Sequence, residues 1–369
     1  MALMDNQLHG ISPHTVNLPR KLLKQMINVV HHLQALSEKP TYPERLPELP
    51  VNAQNHTAHF SVLMGYDFHV TGTQQAKLIE VNTNAGGLWY AYRCYEQKAQ
   101  QFSGKLATKL LQTFMSEYQL FTNNQTAKPQ LIAIVDQTPK EQFLYPEMQA
   151  FAQLFQQENI KTIIIDPSEL QARDNGLYFQ NERIDLIYNR HCDFFLQTTE
   201  MQNIAKAWRA HSVCLTPNPR IYGLLADKQR MADWSEATLL NELLPSHKAH
   251  NLQQALPVAQ LLETYASTSL WAERKQWVFK PLNGYASRGV YIGNKLTKNK
   301  FNSFDPKTTL VQQRIKPNIT IAADGQKFKT DFRLFVYRDT ILAVSARIYQ
   351  GQVTNLRTPN GGFCKIKLT

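Results

Sequence analysis

Gly65-Tyr66-Asp67-Phe68-His69-Val70-Thr71-Gly72-Thr73-Gln74-Gln75-Ala76-Lys77-Leu78-Ile79-Glu80-Val81-Asn82 reads as a β-hairpin. Two runs rich in β-branched and aromatic residues flank a polar segment that contains Gly72, and a turn centred between Thr73 and Gln74 sets Asp67 opposite Glu80. Residues directly opposite in an antiparallel pair share a face. Asn82 follows two positions after Glu80 on that same face, while Ile79 and Val81 point the other way. Two carboxylates held this close repel unless a cation sits between them. The donors are hard oxygens and few in number, which suits magnesium that keeps some waters and takes the rest of its shell from substrate phosphates. A hairpin with one solvated face has the same spacing.

Upstream, Leu22, Leu23, Met26, Ile27, Val30 and Leu33 recur at helical spacing after Pro19, and Pro40, Pro43, Pro47 and Pro50 then break regular structure. Residues 1–56 are therefore an N-terminal helix and a proline-rich connection. Residues 57–127 carry the hairpin, the loop Thr83-Asn84-Ala85-Gly86-Gly87, and a helical segment expected over 88–121. Leu131 to Asp136 and Lys161 to Asp166 are apolar strands on either side of an amphipathic helix over 145–157, a parallel, right-handed βαβ unit. A third strand, 184–190, ends at Arg190. No G-x-G-x-x-G opens the first crossover, so 128–215 reads as a small Rossmann-like α/β domain that holds substrate and no dinucleotide.

In 216–369 a helix opens near Lys228, and Val278 to Ile292 is strand, glycine- and serine-bearing loop, strand. Another strand covers 309–313. A hairpin turns around Arg338-Asp339, and a polar loop follows from Thr354. Lys280 ends its strand just before Gly284, Ser287 and Gly289, where backbone N–H groups can approach phosphate oxygens. The Walker A pattern is absent, and a surface hairpin ending in a lysine is the plainer reading. Asp331 and Arg333 share a strand face with Arg347 on the neighbouring strand, so guanidinium forks can meet an oxyanion there or simply form a cross-strand ion pair.

Forty basic against twenty-nine acidic residues give a formal charge of +11, which favours an anionic partner. No finger, helix-turn-helix or stacking-aromatic motif points to nucleic acid. The four cysteines are isolated, which argues against a zinc finger and a disulfide framework. No apolar run approaches membrane-spanning length and no secretory signal is visible, so a cytoplasmic protein without a membrane partner is expected.

Taken together, Lys228, Lys280-Pro281 with its loop, the Gln312-Gln313 strand, Asp331-x-Arg333, Arg347 and Asn355-x-Arg357 before Gly361-Gly362 resemble the ATP-grasp superfamily. Asp67, Glu80 and Asn82 come first in the chain, an order similar to that of eukaryotic-type glutathione synthetases. The resemblance implies an α/β (α+β) fold: a circularly permuted ATP-grasp with a central small parallel α/β domain, a lid over 230–310 and a catalytic sheet over 311–369. It further implies that Lys228 and Lys280 hold the ATP phosphates and that Ser287 and Gly289 belong to a phosphate lid. Gln312 and Gln313 would lead to an adenine hinge at Arg314 and Ile315. By the same resemblance Asp67, Glu80 and Asn82 coordinate Mg2+, while Arg333, Arg347 and Asn355 face the transferred phosphate. Arg190, Asn84 and Arg357 would meet the substrate carboxylate.

The implied activity is ATP-dependent ligation of a small carboxylate to an amine or amino acid through an acylphosphate, by a chain acting alone or as a homodimer. An ATP-grasp phosphotransferase and a non-catalytic nucleotide-binding protein are the alternatives. Two departures bear on the substrate. The acidic residue expected soon after Lys280-Pro281 is absent, and Gly284-Tyr285-Ala286-Ser287-Arg288-Gly289 stands where the resemblance leads one to expect three glycines.

Overall fold

A computed structural model describes residues 10–282, 284 and 289–369. Its centre is a seven-stranded sheet built from both ends of the chain. The order is Ile11–Leu18, Gly362–Leu368, Thr340–Tyr349, Lys327–Tyr337, Met64–Val70 and Ala76–Asn82. Asn318–Ile321 pairs with the start of the eleven-residue strand Lys327–Tyr337, and Met64–Val70 pairs with its continuation. Ile11–Leu18 and Gly362–Leu368 run parallel.

Alternation along Lys327–Tyr337 explains why this sheet is buried on both faces. Phe332, Leu334 and Val336 join Phe68 and Leu78 under the helix Arg20–Ser37, whose Leu22, Met26, Val30 and Leu33 are fully packed. Each such side chain contributes about 2 kcal/mol when removed from water. Phe335 and Tyr337 face the opposite way, into a second core with Phe114 and Phe151. Asp67, Asp331, Arg333 and Arg347 occupy that second face too, farther along the strands, where Asp67, Asp331 and Arg347 line a cleft.

The α/β unit is a four-stranded parallel sheet in the order Cys214–Thr216, Leu186–Asn189, Leu131–Val135, Lys161–Ile165. A short antiparallel meander, Leu170–Arg173, Gly176–Phe179 and Glu182–Ile184, is inserted after the second strand in sequence. A second four-stranded sheet, wholly antiparallel, holds Ala259–Leu261, Thr309–Gln313, Trp277–Pro281 and Tyr291–Ile292. Among the described residues no helix is long and apolar enough to cross a membrane.

Three sequence expectations need correction. Residues 1–56 are more than a helix and a connection, because Ile11–Leu18 is an edge strand of the central sheet. Its first half, Ile11-Ser12-Pro13-His14-Thr15, holds a proline and does not alternate, and its pairing partner lies some 350 residues away, too distant for a local reading. The helix expected over 88–121 is two helices, Leu88–Tyr95 and Gly104–Thr122, because the chain leaves the first to bury Phe102 against Trp89 and Phe151. The strand Thr309–Gln313, which straddles the expected start of the catalytic sheet at 311, belongs to the smaller sheet with Trp277–Pro281.

Candidate active site

The early hairpin sets Asp67 opposite Glu80 and Gly65 opposite Asn82. Nearer the turn the register is shifted by one, with Phe68 opposite Leu78, so Ile79 is an extra residue that bulges from its strand. The uniform register read from the sequence therefore holds at the acidic positions and fails beside the turn. The bulge has a use. The Ile79 carbonyl accepts hydrogen bonds from Lys280 Nζ at 3.3 Å and from Gln312 Nε2 at 3.2 Å, tying the central sheet to the smaller one.

On the cleft face, charges alternate along a chain of contacts. Arg333 grips Asp67 with a two-pronged contact, Nε to Oδ1 and Nη2 to Oδ2, each 2.6 Å. Arg347 bridges Asp67 Oδ2 at 2.9 Å and Asp331 Oδ1 at 2.6 Å, and Thr354 donates to Asp331 Oδ2 at 2.6 Å. Burial alone would raise the Asp67 pKa, yet Arg333 and Arg347 hold it well below the usual carboxylate range. Burial works equally against the charge on Arg347, and Asp331 with Asp67 more than offset it.

Two lysines approach from the smaller sheet and its preceding helices. Lys280 Nζ donates to Gln312 Oε1 at 2.7 Å, and burial pushes its pKa down to about 8 against the pull of Glu80. Lys228 follows a π-helical turn, Tyr222–Ala226, and its Nζ reaches the carbonyls of Leu282 and Gly284. Burial lowers its pKa also, opposed by Glu80 and Asp227. Both ammonium groups thus lie partly desolvated beside one carboxylate. An incoming polyphosphate would gain more from them than from lysines in open water.

A cavity of about 120 Å³ lies between the two sheets. Asp67, Glu80, Lys280, Gln312, Asp331 and Arg347 line it together with Gln313, Arg314 and Ile315, and His69 Nδ1, also in the lining, meets the Ile315 carbonyl at 2.7 Å.

Other sequence candidates lie elsewhere. Arg190 is buried, and its Nη1 contacts the carbonyls of Asn84 and Ala85 at 3.1 and 3.4 Å, while Asn84 Nδ2 returns a bond to the Arg190 carbonyl at 3.2 Å. That guanidinium holds a loop and is not presented to a substrate. Asn355 and Arg357 are exposed in the terminal loop, where Asn355 Oδ1 accepts the Arg357 N–H at 2.8 Å. The part of that loop in the cavity is Gln352, Val353 and Thr354. Gly289 is exposed with φ +73°, a conformation that favours glycine. Ser287 lies outside the described residues.

Whether the donors suit magnesium is decided by what already binds them. Both oxygens of Asp67 are committed to arginine, whereas Glu80 is half-buried and accepts only a long bond from Asn82 Nδ2, at 3.3 Å, among the described residues. One carboxylate and one amide oxygen fit a cation that draws most of its shell from water and phosphate. Glu80 and Asn82 would hold it. Asp67 instead orders the arginines.

The sequence reading passed over His69, Ile79, Thr354 and Glu147. His69 could have been found, since it shares a face with Asp67 two residues away. The bulged carbonyl of Ile79 carries no side-chain signal.

Two layered sheets grip a cleft, with lysines on one side and a carboxylate, an amide and arginines on the other, and the fold is like that of glutathione synthetase-like structures. Among solved structures, the chain is similar to a glutathione synthetase-like effector from Globodera pallida in its apo form. The TM-score is 0.61 with 12% identity, over 97% of this chain and 90% of that one. It is also similar to a protein of Methylobacillus flagellatus KT assigned as a gamma-glutamylcysteine synthetase, with TM-score 0.52 and 10% identity, over 91% and 85% of the two chains. No protein-family model matches the sequence, and no curated protein matches it.

Proposed function

We propose that the chain is an ATP-dependent carboxylate–amine ligase. The observation that carries this reading is the meeting of Lys280, from the smaller sheet, with the Ile79 carbonyl beside Glu80, from the early hairpin, across a cavity that also reaches Arg347. Segments more than 200 residues apart are built to grip one ligand that is both anionic and extended.

Lys228 and Lys280 would bind the phosphate oxygens, and Glu80 with Asn82 would hold the cation. Magnesium bound there would draw charge from the terminal phosphate and so assist attack on phosphorus. A substrate carboxylate oxygen would form the new P–O bond as the bond to ADP breaks, giving an acylphosphate. An amine would then attack the acyl carbon, and inorganic phosphate would leave. Arg347, already fixed between two aspartates, is placed to stabilise developing negative charge without reorganising.

ADP release with Mg-ATP against a panel of amino acids and γ-glutamyl dipeptides, with mass spectrometry of products, tests the proposal. Stimulation by an acid and an amine together supports ligation. ADP release with a hydroxyl acceptor and a phosphorylated product would favour a phosphotransferase. Nucleotide binding without turnover would favour a non-catalytic role, a reading that gains some weight from the commitment of Asp67 and Asp331 to arginine.

A further inference from the structure

The peptide group between Gly86 and Gly87 is held from both ends by charged side chains of different units. Its carbonyl accepts from Arg333 Nη1 at 3.0 Å. Its N–H donates to Glu147, 3.1 Å from Oε1 and 2.9 Å from Oε2. Glu147 lies on the helix Tyr145–Gln156 of the parallel α/β unit and is 1% exposed. Its Oε2 also accepts the Trp89 N–H at 2.9 Å, and Arg190 Nη2 stands 3.6 Å from Oε1.

A trans peptide is planar, with its C=O and N–H pointing in opposite directions. Turning one end turns the other. A carboxylate on the N–H also polarises the group and strengthens its carbonyl as an acceptor. Glycine is required at position 87, where φ is +98° and Phe363 lies 2.0 Å from where a Cβ would be, and at Gly86 a Cβ would come within 2.3 Å of the tip of Leu144, which would have to move. Burial pushes the Glu147 pKa up, while Arg190 and the two amides pull it back.

We infer that Glu147 is a positioning residue for the phosphoryl-transfer centre, acting through the Gly86–Gly87 peptide to orient Arg333. This rests on the ligase reading for its kinetic consequence and on geometry alone for its structural one. The same loop begins one residue after Asn82, so loss of the clamp also loosens a magnesium donor.

The test uses E147Q, R333K and the double variant in the full chain, with glycine and arginine 15N-labelled. E147Q is expected to move the Gly87 amide resonance upfield and to shift the Arg333 guanidinium resonances, because Arg333 Nη1 donates to the carbonyl of the same peptide group. In turnover, E147Q is expected to lower kcat about tenfold with KM for ATP unchanged, and to have no further effect in R333K. An E147D variant, which keeps the charge, should recover part of the loss. The inference is overturned if the Arg333 resonances stay fixed in E147Q, or if the single effects on kcat simply multiply. If the wild type turns over no acid and amine pair, the ligase reading fails and the resonances still decide this one. If E147Q does not fold, R333K reads the link from the other end: an unmoved Gly87 amide overturns it.

Discussion

Asp67 and Arg333 are register partners on neighbouring strands, and the guanidinium closes on the carboxylate through two contacts of 2.6 Å in a site where both are almost fully buried. Such a pair costs much desolvation to form, so its worth lies in what each partner does to the other when one is removed. An isolated Arg333 would be left uncompensated beside Arg347.

D67N is therefore expected to destabilise the protein by about 3 kcal/mol or more, the range seen when one member of a buried pair is lost. Urea unfolding with an unchanged m-value is the measurement. The double substitution D67L/R333M should recover much of that stability and no activity. Equal stability of D67N and wild type would mean that water or another group already screens Arg333.

Glu80 and Asp67 are predicted to separate in their metal dependence although they face each other in the hairpin. E80Q should raise the magnesium concentration for half-maximal turnover by about tenfold, roughly 1.4 kcal/mol. D67N should lower turnover at every magnesium concentration without moving that midpoint. A shifted midpoint in D67N would return Asp67 to the metal.

Lys280 makes nucleotide affinity depend on pH. With a pKa pushed down to about 8 by burial, it is largely neutral in the free protein above that value, and bound phosphates favour its charged form. Binding of Mg-ATP should thus take up close to one proton near pH 9 and far less near pH 7, and affinity should fall as pH rises through 8. Calorimetry in buffers of different ionisation enthalpy reads the uptake directly. K280M should abolish it and weaken binding.

The hairpins of this site were legible because strand alternation is a local property. Asp67 opposite Glu80, and Asp331 and Arg333 sharing a face with Arg347, follow from period two alone. What was not legible is which of those carboxylates is free. That depends on Arg333 reaching across from a strand more than 260 residues away, and nothing near Asp67 in sequence carries this information. The partners of Arg190 were hidden for a related reason. It follows the parallel strand Leu186–Asn189, where side chains often meet ligands, but the carbonyls of Asn84 and Ala85 in the loop 83–87 take its Nη1. The edge strand Ile11–Leu18 was missed because its partner is the last strand of the chain.

Glu117 joins three parts of the fold and sets a pH dependence of its own. Its carboxylate accepts from the Phe60 N–H, the Thr216 hydroxyl and the Tyr337 hydroxyl at 2.9, 2.8 and 2.9 Å. Burial nonetheless pushes its pKa up to about 7. A carboxyl that binds its proton more tightly when folded contributes stability that is fully present below its unfolded pKa near 4.5 and is lost as pH rises through 7. The loss amounts to about 3 kcal/mol at 1.36 kcal/mol for each pKa unit. His59, on the same joint, works in the opposite sense: burial pushes its pKa down to about 4, so its contribution is lost as pH falls below 6.5. Wild type alone would therefore show the two effects superposed. E117Q, a mimic of the neutral acid, isolates one of them, because His59 is common to both proteins. The stability of E117Q relative to wild type is expected to climb between pH 4.5 and 7 and then level off, and a difference that stays flat across that interval would show Glu117 to be ionised throughout.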